Sequence, residues 1–421
     1  MTKIAVIGGG IIGLACSYYL KKRHNEVVII DKGIPGAACS AGNAGWICPT
    51  LSEPVPAPGL VSKSLKWMTK RDSPLYIKPS AIPSISNWLF QFWKNCNEES
   101  FNKGFDAALE ISKNTLKLFD ELESEKLIQF EIHHKGLLFA FLDKKGMEER
   151  FEELSIVNKV GLPLPIVKSK QDLQLMEPQL SENVEAGLFL PSERNVRPES
   201  LSGGFYQWLK ENGVEFRTNT EVTDIIHRNG RIEAVVCGNE KIEADQFLFT
   251  SGVWANQLIK KIGYHFPMTA GKGYSITITS PNITLSHPLY LGDSKTGVTP
   301  YNNTIRIAGT MELSGLNVNI DERRVQGLRN SVSKYLKTPI KGEKEVVWTG
   351  MRPMTPDGLP ILGPIPEINN SFIAAGHAMN GVSMSLATGL IMSQLISEGR
   401  TDIEIGPFSL NRFLSKPVLT T

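Results

Sequence analysis

The chain has 421 residues and a formal net charge of +2. That length supports two or three domain-sized cores. The even charge balance, with no long run of one sign, argues against nucleic acid as a partner. Five cysteines, at 16, 39, 48, 96 and 237, form no CxxC pair. They are a poor basis for a disulfide framework or a zinc site and fit a reducing, cytoplasmic setting. No apolar stretch is long enough to cross a bilayer. The opening MTKIAVIGGG lacks the apolar region and cleavage site of a signal peptide.

The first element is a short β-branched run, Ile4 to Ile7, which reads as a buried parallel strand. Gly8-Gly9-Gly10-Ile11-Ile12-Gly13 follows as G-x-G-x-x-G, and apolar residues then repeat at helical spacing through Leu20. A second strand, Glu26 to Ile30, ends in Asp31, 18 residues after Gly13. The chemistry of this pattern is specific. Gly8 permits a tight turn, Gly10 admits a pyrophosphate to the backbone, and Gly13 lets helix and strand pack closely. The helix N-terminus faces the phosphates with partial positive charge, and Asp31 can bind ribose hydroxyls. Dinucleotide binding follows; the motif alone does not separate FAD from NAD.

Residues 33–60 are rich in Gly, Ala, Ser and Pro and read as a loop that lies against a ligand. Residues 61–96 mix Lys63, Lys66, Lys70, Arg71 and Lys78 with Trp67, Met68, Trp88, Phe90, Phe92 and Trp93. Their ordinary reading is aromatic cover on a second domain; the functional alternative is a membrane-surface patch. A helix over 104–129, a strand over Gly136–Leu142 and a helix over Glu148–Val160 come next. Adjacent His133 and His134 point to opposite faces of a strand, so a structural role is expected. A helix spans Pro198–Asn212, followed by strands over Gly213–Thr218, Glu221–His227, Arg231–Val236 and Gln246–Thr250. Strands over 272–280, 289–300 and 304–310 and a helix over 321–337 follow. Phe372–Ala375 is the last strand, and a helix starts near Val382. The dinucleotide domain is therefore assembled from the start, middle and end of the chain.

Together IAVIGGGIIGLACSYYL with Asp31, SAGNAGWICP, TSGVWA, GKGYSITI, TIRIAGTMEL, GMRPMTPDGLPILG and AAGHAMNGVSMSLATG resemble the FAD-dependent D-amino-acid oxidase superfamily. The motifs span nearly the whole chain, and their closest pattern is that of bacterial D-amino-acid dehydrogenase and glycine oxidase-like flavoproteins. The resemblance implies an α/β fold: a Rossmann-like FAD-binding domain with an interleaved α+β substrate domain built on an antiparallel sheet. It implies FAD-binding segments 1–60, 190–262 and 350–421 and substrate segments 61–189 and 263–349. FAD is favoured over NAD, since no second G-x-G-x-x-G and no redox CxxxxC occur.

By the same resemblance, Gly8, Gly10, Ile11, Ile12, Gly13, Asp31 and Lys32 hold the ADP half of FAD. Ser40, Ala41, Gly42, Asn43, Ala44 and Gly45 pass the pyrophosphate and flavin. Val222 meets the adenine, and Gly252 and Trp254 flank another turn on the FAD side. Gly376, His377, Gly381, Val382, Ser383 and Met384 surround the flavin pyrimidine ring. No cysteine follows Cys237, so the flavin is expected to be non-covalent.

Arg352 matches the arginine that pairs with the substrate carboxylate; the bland alternative is a structural pair with Asp357. The implied reaction is oxidative deamination of a small D-amino acid, D-proline types included, by hydride transfer to flavin N5, with oxygen or a quinone as final acceptor. Two usual helpers are missing: Thr296-Gly297-Val298-Thr299-Pro300 lacks a tyrosine, and Met379 replaces an arginine. Tyr274, Tyr301 and Lys272 are the candidates for the second carboxylate contact. Trp46, Met351 and Met354 are expected in the pocket wall. Glycine or sarcosine oxidation, and a flavin subunit of a larger complex at the membrane or in a homo-oligomer, are the alternatives. No metal is expected.

Overall fold

The computed structural model describes residues 1–60 and 75–414. Lys63, Lys66, Trp67, Met68, Lys70 and Arg71 of the aromatic-basic segment lie outside the described residues. A six-stranded sheet carries the dinucleotide motif. Its order is Glu215–Arg217, Glu26–Ile30, Lys3–Ile7, Gln246–Phe249, Ser371–Ala375 and Ile361–Pro364. The first five strands run parallel and the last antiparallel. All four apolar residues Ile4 to Ile7 are buried, as a parallel strand covered on both faces requires.

Helix Ile11–Lys22 packs on this sheet and against helix Ser385–Glu398. A Cβ on Gly389 would stand 2.7 Å from the Ala15 carbonyl oxygen, so glycine is what lets the two helices meet. A three-stranded antiparallel sheet, Asp224–Arg228, Arg231–Cys237 and Glu240–Glu243, lies beside the main sheet.

The second large sheet has nine strands and is mostly antiparallel. Its edge strand is Lys344–Met354, paired along its full length with Thr269–Thr279. Thr304–Leu313 follows, then Thr296–Tyr301 and Leu289–Leu291. Leu137–Phe141 and Ala186–Leu190 extend it further. The edge strand runs through residue 350, the expected boundary between substrate and FAD segments. Arg352 therefore belongs to the antiparallel sheet. Pro353 sits in this strand at no cost to a central ladder, because the strand is at the sheet's edge and the segment meeting its other side here donates, from Ala378 N–H, to the Pro353 carbonyl.

Several expected elements divide. The helix expected over 104–129 is two, Glu98–Ser112 and Thr115–Glu125. The strand expected over 289–300 is a hairpin, turning through Lys295 at φ 50°. The helix expected from Val382 begins at Ser385, after a turn. Residues 33–60 are mostly turn, with a short Trp46–Ile47 strand and a 3-10 turn Pro49–Leu51. Helix Ile82–Asn95 buries Trp88, which stacks on Phe92, and exposes Phe90 and Trp93, at 52% and 58% of their surface. The aromatic segment is thus part core and part surface. No helix among the described residues is long and apolar enough to cross a membrane.

Candidate active site

Between the two large sheets lies one continuous cavity of about 1960 Å³. At one end are Gly8, Gly10, Ile11, Ile12, Asp31 and Lys32; at the other are Arg352, Tyr274, Met311, Trp88 and Met354. Each end has a local cause.

Gly8 holds φ +115°, and a Cβ there would be 2.7 Å from the Thr250 backbone. A Cβ on Gly13 would be 1.9 Å from the Gly8 carbonyl oxygen, so no other residue fits that crossing. Gly10 is the N-cap of helix Ile11–Lys22 and offers no side chain to its amides. Asp31 Oδ2 accepts from Gly9 N–H at 2.6 Å and Oδ1 from Gly33 N–H at 2.8 Å. The carboxylate therefore shapes the turn as well as facing the cavity. Ser40 Oγ accepts from the Ile11 amide at 3.1 Å, beside the helix N-terminus. Lys32 lies 3.8 Å over the Trp254 ring, joining two candidates from separate segments. Val222 and Gly252 line the same end, and Ser251 Oγ is buried there without a hydrogen-bond partner among the described residues. The cradle fits the adenosine diphosphate half of FAD.

Gly42, Asn43 and Ala44 line the middle, whereas Ala41 and Gly45 stand behind them. Gly45 turns at φ +75°, against the Val196 carbonyl oxygen. Across the cavity, His377, Gly381 and Val382 form the facing turn, with Gly376, Ser383 and Met384 behind it. Ser383 Oγ accepts from Cys48 N–H at 3.3 Å, tying this turn to the 40–48 segment. His377 is buried, and its Nε2 meets Thr388 Oγ1 at 3.0 Å. Burial lowers its pKa to about 3, so the imidazole is neutral at physiological pH.

Arg352 reaches into the other end. Its Nη1 donates to the Thr310 carbonyl at 2.8 Å. A Cβ on Gly273 would stand 2.3 Å from Nη1, so that glycine makes room for the guanidinium. Burial, with help from Arg324, lowers its pKa to about 10, and it stays cationic. Asp357 instead pairs with Arg412, at 2.7 Å. Among the described residues no carboxylate pairs with Arg352. A half-buried cation in this position is stabilised when an anion arrives.

All three expected helpers are already engaged. Lys272 does not line the cavity; it pairs with Glu312 at 2.8 Å and donates to Asn317 and Asn319. Tyr274 lines the cavity, but its hydroxyl donates to Glu312 at 2.7 Å. Burial pushes the Glu312 carboxyl up, yet hydrogen bonds from Lys272, Ser314 and Tyr274 outweigh it and its pKa is lowered. Glu312 therefore stays ionised and keeps both partners. Tyr301 is likewise spent, donating to the Ala44 carbonyl at 2.9 Å. Trp46, Met351 and Met354 line the cavity as expected. The Trp46 ring lies over Gly297, where a Cβ would be 2.7 Å away, and its Nε1 donates to Thr299 Oγ1.

Sequence reasoning missed Gly273, Thr310 and Arg306. Gly273 lies inside GKGYSITI, where a glycine in an otherwise strand-like run is a signal of close approach. Thr310 and Arg306 carry no such signal. His134 also meets Glu123, at 2.8 Å, near Asp120. Asp120 is already paired with Arg194, and the group is open to solvent.

A dinucleotide cradle running without a break into a cationic pocket defines a dinucleotide-dependent oxidoreductase as a class. More particularly, the chain belongs to the DAO family of FAD-dependent oxidoreductases, whose model matches residues 3–395. FAD is its cofactor. It is 30% identical over 417 residues to D-amino acid dehydrogenase of Vibrio atlanticus (strain LGP32), covering 98% of this chain and 100% of that one. In fold it is similar to glycine oxidase from Geobacillus kaustophilus, with a TM-score of 0.80 at 21% identity, covering 99% and 100% of the two chains. It is also similar to L-proline dehydrogenase from P. horikoshii, with a TM-score of 0.75 at 20% identity, covering 98% and 97%.

Proposed function

We propose that this flavoenzyme oxidises small D-amino acids, D-proline types included, to imino acids that water hydrolyses. The carrying observation is Arg352, a cation at the wall of the cavity that the cofactor cradle opens into, with no carboxylate partner among the described residues. Relatedness to a D-amino acid dehydrogenase at 30% identity supports the substrate class.

When bound, FAD supplies the acceptor for the hydride from substrate Cα. Arg352 binds the carboxylate. One Nη1 proton is committed to Thr310, and the remaining fork protons can meet both carboxylate oxygens. That fixes the amino acid's orientation, which the transfer requires. Trp46, Met351 and Met354 exclude water and give an apolar wall that suits small or cyclic side chains. Tyr274 cannot act as a base: its hydroxyl donates to Glu312, and burial raises its pKa. His377 is neutral but turned to Thr388. The amine therefore enters neutral, and its own lone pair assists departure of the hydride. In this reading residues 1–60, 190–262 and the chain after the Arg352 strand carry the cofactor, held non-covalently. Residues 75–189 and 263–354 face the substrate.

The test is anaerobic bleaching of the visible flavin band in the purified holoprotein with D-alanine, D-proline, glycine and sarcosine. Bleaching by the D-amino acids is expected. Faster bleaching by glycine or sarcosine would favour the glycine/sarcosine-type reading, and none with any of the four would favour a subunit role. Paired oxygen-uptake and quinone-dye assays identify the final acceptor.

A further inference from the structure

We propose that Arg306 is a positioning residue that locks the flavin loop to the same strand that aims Arg352. This rests on the reading of residues 40–45 as lying along the flavin.

Arg306 is 3% exposed, so its guanidinium needs a full set of partners. Four of its five N–H groups have them, and they are unusual in where they lie. Nη1 donates to the carbonyls of Ala41 at 2.7 Å and Asn43 at 2.9 Å. Nε donates to Thr277 Oγ1 at 3.0 Å, and Nη2 pairs with Glu199 in the first turn of helix Pro198–Glu211. The neighbouring strand adds two donors to the next carbonyl: Thr299 Oγ1 and Tyr301 Oη reach Ala44, at 3.0 and 2.9 Å. The antiparallel sheet thus grips three carbonyls of the loop, at Ala41, Asn43 and Ala44.

Arg306 and Thr310 lie on one strand, Thr304–Leu313. Four residues of extended chain separate them by about 13 Å. Thr310 is β-branched yet sits at φ 59°, a conformation that such residues rarely adopt without compensation. The pairing with Thr269–Thr279 also shifts register here, between Lys272 and Tyr274. The kinked segment delivers the carbonyl that holds Arg352 Nη1. One strand therefore carries a grip on the flavin loop at Arg306 and a grip on the substrate clamp at Thr310. A stiff strand keeps the two at a fixed separation, which alignment of Cα with the flavin needs. A lysine at 306 would supply charge but not the forked geometry that serves the loop, Thr277 and Glu199 together.

The test uses the holoprotein carrying Arg306→Ala, Arg306→Lys and Tyr301→Phe. Amide hydrogen exchange is followed in peptides covering 38–46. FAD retention and the shape of the visible flavin band are measured on the same samples. We expect faster exchange at 41–45 and about tenfold weaker FAD retention in Arg306→Ala, with an altered flavin band. Arg306→Lys should fall between it and the wild type. Should Arg306→Ala not fold, Arg306→Lys and Tyr301→Phe give the same readouts with smaller changes. Unchanged exchange at 41–45 in variants that fold overturns the grip. Faster exchange with unchanged FAD retention and flavin band overturns instead the reading that this loop lies along the flavin. Lower melting temperature with all three readouts unchanged marks Arg306 as merely structural and overturns the proposal.

Discussion

Gly273→Ala probes the substrate clamp without touching the arginine itself. A Cβ at 273 would lie 2.3, 2.4 and 2.5 Å from Nη1, Nη2 and Cζ of Arg352, against an ordinary contact limit of 3.4 Å. The guanidinium must retreat by about 1 Å, and a misplacement of that size costs on the order of 100-fold in rate. The Nη1 bond to the Thr310 carbonyl is lost or lengthened with it. The fold should survive, since the displaced atoms are the far end of a flexible side chain, and alanine in place of strand glycine lowers the entropy of the unfolded chain. Rapid-mixing anaerobic reduction with D-alanine is the assay, alongside melting temperature and FAD content. The expected result is a loss of roughly 100-fold in the reduction step at low substrate, with melting temperature and FAD content near those of the wild type. Wild-type reduction kinetics in Gly273→Ala would refute the idea that Arg352 orients the substrate.

Three other outcomes are expected. Glu193 is buried between Thr50 and Cys48, and burial raises its pKa from 4.5 to about 7. The native state then holds a proton that the unfolded chain has lost, so stability falls as pH rises from 4.5 through 7, by about 3 kcal/mol at most. Glu193→Gln should flatten that slope in melting scans between pH 4.5 and 8; parallel curves for the two proteins would contradict it. Acid precipitation should release the yellow cofactor into the supernatant, because no cysteine follows Cys237; colour kept on the polypeptide would show a covalent bond. Gly13→Ala should purify without FAD, since its Cβ would meet the Gly8 carbonyl oxygen at 1.9 Å; stoichiometric flavin absorbance in that variant would contradict the cradle.

The cofactor half of the molecule was readable in the sequence because its signals are local. Gly8, Gly10, Gly13 and Asp31 lie in one βαβ unit, and Gly13 answers a steric demand within that unit, where its Cβ would strike the Gly8 carbonyl oxygen. The substrate end was readable only in part. Arg352 stood out as a cation in an apolar run, but its strand did not. Pro353 and the glycines of WTGMRPMTPDG disguise an edge strand, where a missing N–H costs nothing. The helix expected over 104–129 divides before Thr115, where the apolar stripe gave no warning. Lys272 and Tyr274 were plausible helpers by position. Their engagement depends on Glu312, which the paired strand brings alongside and the sequence leaves 38 residues beyond Tyr274. Gly273 and Thr310 matter through contacts made across strands, so their part became visible only when the sheet was assembled.

Arg352→Leu tests the carboxylate clamp most directly. Loss of a charged partner at a substrate ion pair costs about 2–5 kcal/mol, roughly 30-fold to several thousand-fold. Anaerobic reduction of the flavin by D-alanine should slow by that factor in Arg352→Leu, with FAD still bound at full stoichiometry. Reduction at a near-normal rate would contradict the assignment of Arg352 as the residue that holds the substrate.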